Sequence, residues 1–95
     1  MKFTDEHLAQ LSAALLKYGK ECRVLIAVEE MTELSKELLK NINRGKQNKK
    51  EITEEMVDVY IMLEQLKEIY KISDEQLFQT SSDKFLRWKK HELGL

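Results

Sequence analysis

An apolar stripe between residues 24 and 42 constrains the fold of this chain more than any other feature. Apolar residues recur there every three or four positions, which places them on one face of an α-helix. The chain contains no proline, a residue that breaks a helix interior at a cost of about 3 kcal/mol. We therefore predict one long helix over residues 22–42, whose stripe comprises Val24, Ala27, Val28, Met31, Leu34, Leu38 and Ile42.

One further helix is predicted on each side of this one. Thr4 precedes two acidic residues, as at a helix start, and Gly19 marks the end of that first helix. Residues 43–50 are rich in polar residues and cations and are predicted to form a loop. Apolar spacing then resumes, which predicts another helix over residues 51–70.

A fourth helix is predicted to begin at Ser73, because Ser73 and Gln76 form the pattern of a capping box. No segment shows the alternation of a half-buried strand. The sequence thus predicts an all-α fold, a small bundle of about four helices that forms a single domain over residues 1–95.

The helix predicted over residues 51–70 is apolar on two sides. Val57 and Ile61 form a second stripe on nearly the opposite side from the main one. A helix that is apolar on two sides is usually buried on two sides. Since a chain of 95 residues has a modest core, we expect a second subunit to complete the bundle. The main stripe comprises Ile52, Met56, Val59, Leu63, Leu66 and Tyr70.

Composition narrows the class of protein. Sixteen basic and seventeen acidic residues leave a net charge of −1, which argues against binding a nucleic-acid polymer or a membrane surface. Cys22 is the only cysteine, so no disulfide forms within the chain, and a plain helix thiol is the expected role. The N-terminus lacks the apolar segment of a signal peptide. We expect a cytoplasmic protein.

Carboxylates interrupt the apolar pattern of the two central helices. Glu30 and Glu33 are three residues apart, as are Glu55 and Asp58, so each pair faces one side of its helix. Glu30, Glu55 and Asp58 have no lysine or arginine three or four positions away, and Glu33 has only Lys36. If the two helices pack side by side, these four carboxylates converge at a half-buried seam.

Four unpaired anions at such a seam are costly. Two arrangements relieve the cost: raised carboxyl pKa values or a bound cation. Clusters of oxygen ligands favour hard cations such as Mg²⁺ or Mn²⁺ over zinc. The residues alone leave both arrangements open, a divalent metal site and a merely acidic pair of helices. Glu37, further along the same helix, is expected to be solvated.

The same residues resemble a known family pattern. Glu29 and Glu30 followed by Glu33, and then Glu55 followed by Asp58, resemble the EExxE…ExxD signature of MazG-like all-α nucleoside triphosphate pyrophosphohydrolases. The resemblance covers about residues 24–67, where apolar residues flank both acidic motifs and a loop containing RGK joins them.

The resemblance implies Mg²⁺-dependent hydrolysis of a nucleoside or deoxynucleoside triphosphate to the monophosphate and pyrophosphate. It implies that Glu30, Glu33, Glu55 and Asp58 are metal ligands, with Mn²⁺ as a substitute for Mg²⁺. Glu29 is then an auxiliary catalytic residue that orients water or binds the metal through it. The family also implies a homodimer or homotetramer.

The sequence identifies the basic residues that would bind the triphosphate less clearly than it identifies the metal ligands. Lys84 and Arg87 share a helical face and resemble basic residues on the last helix of family members, although a solvated basic helix end has the same pattern. Arg44 and Lys46 in the predicted loop are a second choice. No obvious residue for reading the base stands out, and Trp88 is expected in a core or an interface.

Two other functions fit the same residues. One is a phosphoribosyl-ATP pyrophosphohydrolase, which shares the fold and chemistry of the family. The other is a non-catalytic helical interaction protein whose acidic face binds a basic partner.

Overall fold

The computed structural model describes residues 1–95 and contains four α-helices without a β-strand. The helices are α1 (Asp5–Tyr18), α2 (Lys20–Arg44), α3 (Lys49–Tyr70) and α4 (Asp74–Glu92). The predicted all-α class and the number of helices are confirmed. None of the four helices has the length and apolar character needed to cross a membrane.

The helix ends follow local capping chemistry. The Thr4 hydroxyl accepts a hydrogen bond from the backbone N–H of His7, and His7 Nδ1 accepts one from the backbone N–H of Thr4. Gly19 alone separates α1 from α2, with a φ of 86° that favours glycine. Because no further residues are needed for this turn, α2 begins at Lys20, two residues earlier than predicted.

The loop between α2 and α3 is shorter than the predicted 43–50. Gly45, in the left-handed conformation, ends α2, and α3 begins at Lys49. Asn48 is fully buried, and its Nδ2 donates a hydrogen bond to the carbonyl oxygen of Glu37 at 2.8 Å. Asn41 Nδ2 donates to Asn48 Oδ1 at 3.3 Å. Asn48 therefore fixes the loop against the last turns of α2.

The two long helices α2 and α3 form the main packing interface, and α1 packs against both. Because a short loop joins them, α2 and α3 run antiparallel. Arg23 near the start of α2 lies beside Gln65 late in α3, whereas Glu37 lies beside Asn48 at the loop. The middle of α2 therefore faces the region of α3 around residues 55–58.

Gln65 joins three helices through its side-chain amide. Gln65 Oε1 accepts a hydrogen bond from Arg23 Nε at 2.5 Å, and Gln65 Nε2 donates to the carbonyl oxygen of Leu11 at 2.7 Å. Gln65 is fully buried. The buried apolar residues are Ala27 and Met62 alone, so the centre of the bundle is unusually polar for its size.

The main apolar stripe predicted for α3 is only partly covered within the chain. Met56, Leu63 and Tyr70 of this stripe are 43%, 43% and 51% exposed. The inner face carries Met62 together with polar residues, with Gln65 buried and Asp58 half-buried. The expectation that this stripe marks the packing side of α3 was therefore wrong for half of its residues. Periodicity identifies an apolar face but does not identify which neighbour covers it.

Helix α4 begins at the predicted capping box: the Ser73 hydroxyl accepts a hydrogen bond from the backbone N–H of Gln76. An ion pair between Lys67 and Asp74 ties its first residue to α3. Beyond that point α4 leaves the other helices, and Trp88, expected in a core or interface, is half-exposed within the chain.

Candidate metal centre

Three carboxylates from two helices meet between α2 and α3. Glu30 comes from the middle of α2, whereas Glu55 and Asp58 lie one turn apart on α3. One oxygen from each lies within 4.8 Å of the other two, and all three residues are half-buried. The antiparallel packing of α2 and α3 brings these residues together, as the sequence predicted for helices lying side by side.

Mutual repulsion and burial perturb two of the three groups. Burial raises the pKa of Glu30 above its usual range, and the negative charges of Asp58 and Glu55 raise it further. Burial likewise raises the pKa of Glu55, followed by the charges of Asp58 and Glu33. No lysine or arginine forms an ion pair with the trio. The site therefore holds excess negative charge that the protein itself does not neutralise.

An oxygen without a partner belongs to this group. Glu55 Oε2 is buried and has no hydrogen-bond partner. Buried polar atoms in folded proteins are nearly always hydrogen-bonded or bound to an ion, so this oxygen lacks its expected partner. A carboxylate-only set of donors suits a hard divalent cation, and a cation would satisfy both the orphaned oxygen and the excess charge. The residues present therefore fit Mg²⁺ or Mn²⁺.

The other two predicted carboxylates lie beside this trio and not within it. Glu33 is exposed, and one of its oxygens lies 3.4 Å from Lys36 Nζ. Its charge nevertheless contributes to the raised pKa values of Glu30 and Glu55, so it lies close to the trio. Glu29 is exposed and lies about 100° around α2 from Glu30. Three of the four predicted ligands thus converge.

Glu37 was expected to be solvated, and this expectation was wrong. Its side chain is only 10% exposed and contacts Lys40 Nζ at 3.0 Å. The hydrogen bond from Lys40 holds the pKa of Glu37 below its usual range. Glu37 lies seven residues after Glu30, hence on the same helical face, and its charge contributes to the raised pKa of Glu55. This spacing was the signal that could have revealed its burial.

The first-choice phosphate-binding cations lie on α4, away from the helices that carry the carboxylates. Lys84 and Arg87 line a shallow surface depression on α4 together with Trp88. Helix α4 is tied to α3 at its first residue, and no Cα atom of α4 lies within 8 Å of a Cα atom of α2 or α3, so a single chain does not bring these cations to the trio. Arg44 is exposed and lines an open depression on α2 with Lys36 and Lys40. The charge of Lys46 contributes, after the hydrogen bond from Lys40, to the lowered pKa of Glu37.

Comparison of the chain with models of known protein families, with curated proteins and with solved structures finds no significant match. The functional argument therefore depends on the residues of the site.

Proposed function

We propose that this chain is a Mg²⁺-dependent pyrophosphohydrolase that converts a nucleoside or deoxynucleoside triphosphate into the monophosphate and pyrophosphate. The observation that carries the proposal is the convergence of Glu30, Glu55 and Asp58, one of which has a buried oxygen without a partner. The spacing of these residues, which resembles that of the MazG-like family, connects the metal site with this reaction.

Glu30, Glu55 and Asp58 would hold the metal ion, and Mn²⁺ would be able to replace Mg²⁺. Glu33 is the proposed fourth ligand, since it lies one helical turn from Glu30 and its side chain is held only by an exposed ion pair with Lys36. When bound, the cation would neutralise phosphate charge and make water a better nucleophile. One water molecule is consumed and one phosphoric anhydride bond breaks, which gives the monophosphate and pyrophosphate.

The remaining residues would position the reactants. Glu29 is proposed to accept a hydrogen bond from water near the trio, an auxiliary role that requires no direct contact with the metal. Lys84 and Arg87 are proposed to bind the phosphates. Since their helix does not reach the trio of its own chain, this role requires an assembly, which we propose to be a homodimer or homotetramer.

The test is incubation with a panel of ribonucleotide and deoxyribonucleotide triphosphates plus Mg²⁺, and separately Mn²⁺, with detection of monophosphate and pyrophosphate. Phosphoribosyl-ATP is included in the panel because its hydrolysis is the related alternative. We expect turnover of at least one nucleotide, and we expect Asp58→Asn to abolish it while circular dichroism shows unchanged helix content. If the concentrated enzyme turns over no substrate with either metal, the proposal is wrong.

A thermal melt separates this proposal from the non-catalytic acidic interaction protein. A ligand that binds only the folded state stabilises it, by about 2.7 kcal/mol at a concentration one hundred times its Kd. We expect Mg²⁺ to raise the melting temperature of the wild type and to leave that of Asp58→Asn unchanged. An acidic surface that binds only a basic partner protein predicts that Mg²⁺ changes the melting temperature of neither protein.

A further inference from the structure

Two lysines of α2 contact carboxylates that lie close to the trio. Lys40 Nζ lies 3.0 Å from Glu37 Oε2, and Lys36 Nζ lies 3.4 Å from Glu33 Oε1. The charges of Glu33 and Glu37 both contribute to the raised pKa of Glu55, which belongs to the trio. Each lysine therefore contacts a carboxylate whose charge reaches the trio, and both belong to the same chain as the trio.

Lys40 is the more firmly held of the two lysines. Its side chain is 39% exposed, against 60% for that of Lys36. Its partner Glu37 is buried, and the buried Asn48 holds the same turn of α2 by donating a hydrogen bond to the carbonyl oxygen of Glu37 at 2.8 Å. An ammonium group has three donors, and that of Lys40 uses one of them, on Glu37. A positioned cation thus has donors left for a further anion.

Positive charge is in surplus along this part of α2. Lys36, Lys40 and Arg44 follow one another at intervals of four residues and line one open depression. Residues 33–46 contain four cations and two carboxylates, and each of these carboxylates forms an ion pair with a lysine. Arg44 is exposed and forms no ion pair. A surplus of positive charge therefore begins beside a trio that has a surplus of negative charge.

A nucleoside triphosphate bound to Mg²⁺ requires both kinds of charge. Carboxylates bind the metal, whereas phosphate oxygens that the metal leaves free bind well to cationic donors. The pyrophosphate part of such a substrate carries most of its negative charge, so this part is the one that suits the cations of α2.

The position of Lys40 along the helix allows this contact. Its side chain reaches back to Glu37, so its ammonium group lies about 10 Å along the helix axis from the level of Glu30. A flexible four-carbon stem lets the ammonium group move toward a phosphate group that lies beside the metal.

We propose that Lys40, with Arg44 one turn further along α2, binds the pyrophosphate part of the nucleoside triphosphate. This assignment rests on the proposed function for the identity of the ligand. It supplies phosphate-binding charge within one chain, whereas Lys84 and Arg87 reach the trio only in an assembly.

The test is isothermal titration calorimetry with inorganic tripolyphosphate at a constant concentration of Mg²⁺. This probe has the phosphate chain of the substrate without a base or sugar. We expect the wild type to bind it and Lys40→Gln to bind it about 10-fold more weakly, as for the loss of a charge-assisted hydrogen bond. Lys20→Gln is the matched control, since it removes the same charge from an exposed position at the other end of α2. Lys20 is about 30 Å from Lys40 along the helix, well beyond the screening length at physiological salt, so this control is expected to bind as the wild type does.

A second variant keeps the test valid if Lys40→Gln does not fold. Lys40→Gln leaves the buried carboxylate of Glu37 without its cation, whereas the double variant Glu37→Gln/Lys40→Gln leaves no buried charge there. We expect the double variant to lose the same affinity for tripolyphosphate. Mg²⁺ is expected to raise its melting temperature as it raises that of the wild type, because the trio is unchanged. If the double variant loses this effect of Mg²⁺ together with its affinity, the substitutions act through the metal centre and the assignment is wrong.

Failure of this assignment is distinguishable from failure of the proposed function. A wild type that does not bind tripolyphosphate, or that binds it no better than Lys40→Gln does, overturns the assignment even if nucleotides are hydrolysed. A chain that binds tripolyphosphate through Lys40 but hydrolyses no nucleotide keeps the anion site and loses the proposed function.

Discussion

Neutralising Glu30 is expected to stabilise the metal-free protein even though it removes a proposed ligand. Glu30→Gln keeps the shape of the side chain and removes one of three negative charges whose oxygens lie within 4.8 Å of one another. Residues assembled for function commonly reduce stability when their ligand is absent. This substitution therefore measures the repulsion stored between α2 and α3.

The magnitude follows from the geometry. Two unit charges 4.8 Å apart repel by about 0.9 kcal/mol in water and by about 3.5 kcal/mol at an effective dielectric constant of about 20. Glu30 is half-buried and borders solvent, so the value in water is the better guide, and salt lowers it further. With two like-charged neighbours, we expect Glu30→Gln to raise the free energy of unfolding by about 1–2 kcal/mol near pH 8.

The difference in stability between Glu30→Gln and the wild type is expected to increase with pH. Folding raises the pKa of Glu30 above the ordinary value of 4.5, so the folded state holds the proton more tightly than the unfolded state. The wild type therefore loses stability relative to Glu30→Gln as the pH rises above 4.5. The difference reaches its plateau above the pKa of the folded state and vanishes below 4.5, where the carboxyl is neutral in both states.

The assay is urea unfolding at about pH 5 and about pH 8 in the presence of a chelator, at one protein concentration. Glu29→Gln is the control: its carboxylate is exposed on the same helix, and we expect a change within about 0.5 kcal/mol. Added Mg²⁺ is expected to stabilise the wild type and the Glu29→Gln protein but not Glu30→Gln. If Glu30→Gln is less stable than the wild type at pH 8 without metal, the electrostatic argument is refuted.

Three further predictions concern the packing and the metal. Gln65→Leu leaves Arg23 Nε and the carbonyl of Leu11 without partners, and it is expected to lower the free energy of unfolding in urea by about 3–5 kcal/mol. Gln10→Leu, at an exposed position, is the control and is expected to be near neutral. Folding lowers the pKa of Glu37, so Glu37→Gln is expected to be less stable than the wild type near neutral pH. The difference in free energy of unfolding should shrink as the pH falls below 4.5, and a difference that stays constant contradicts the prediction. Mn²⁺ is expected to support turnover in place of Mg²⁺, and Ca²⁺, a larger ion, to support less; equal rates with Ca²⁺ contradict a compact oxygen site.

Local features of the fold were predictable from the sequence because short-range chemistry determines them. The spacing of apolar residues, the absence of proline and the capping boxes at Thr4 and Ser73 predicted four helices, and the structure confirms them. The convergence of Glu30 with Glu55 and Asp58 was also predictable, since two amphipathic helices joined by a short loop must pack side by side.

Only the tertiary structure decided which faces those helices use. An apolar stripe predicts that one face of a helix will be covered. It does not predict which neighbouring element covers that face, because this depends on the packing of the whole chain. Thus Glu37 is buried although the sequence predicted that it would be solvated, while Met56 and Leu63 point outward. The departure of α4 from the bundle has the same cause, because the position of a whole helix depends on contacts between residues far apart in the chain, which local spacing does not encode.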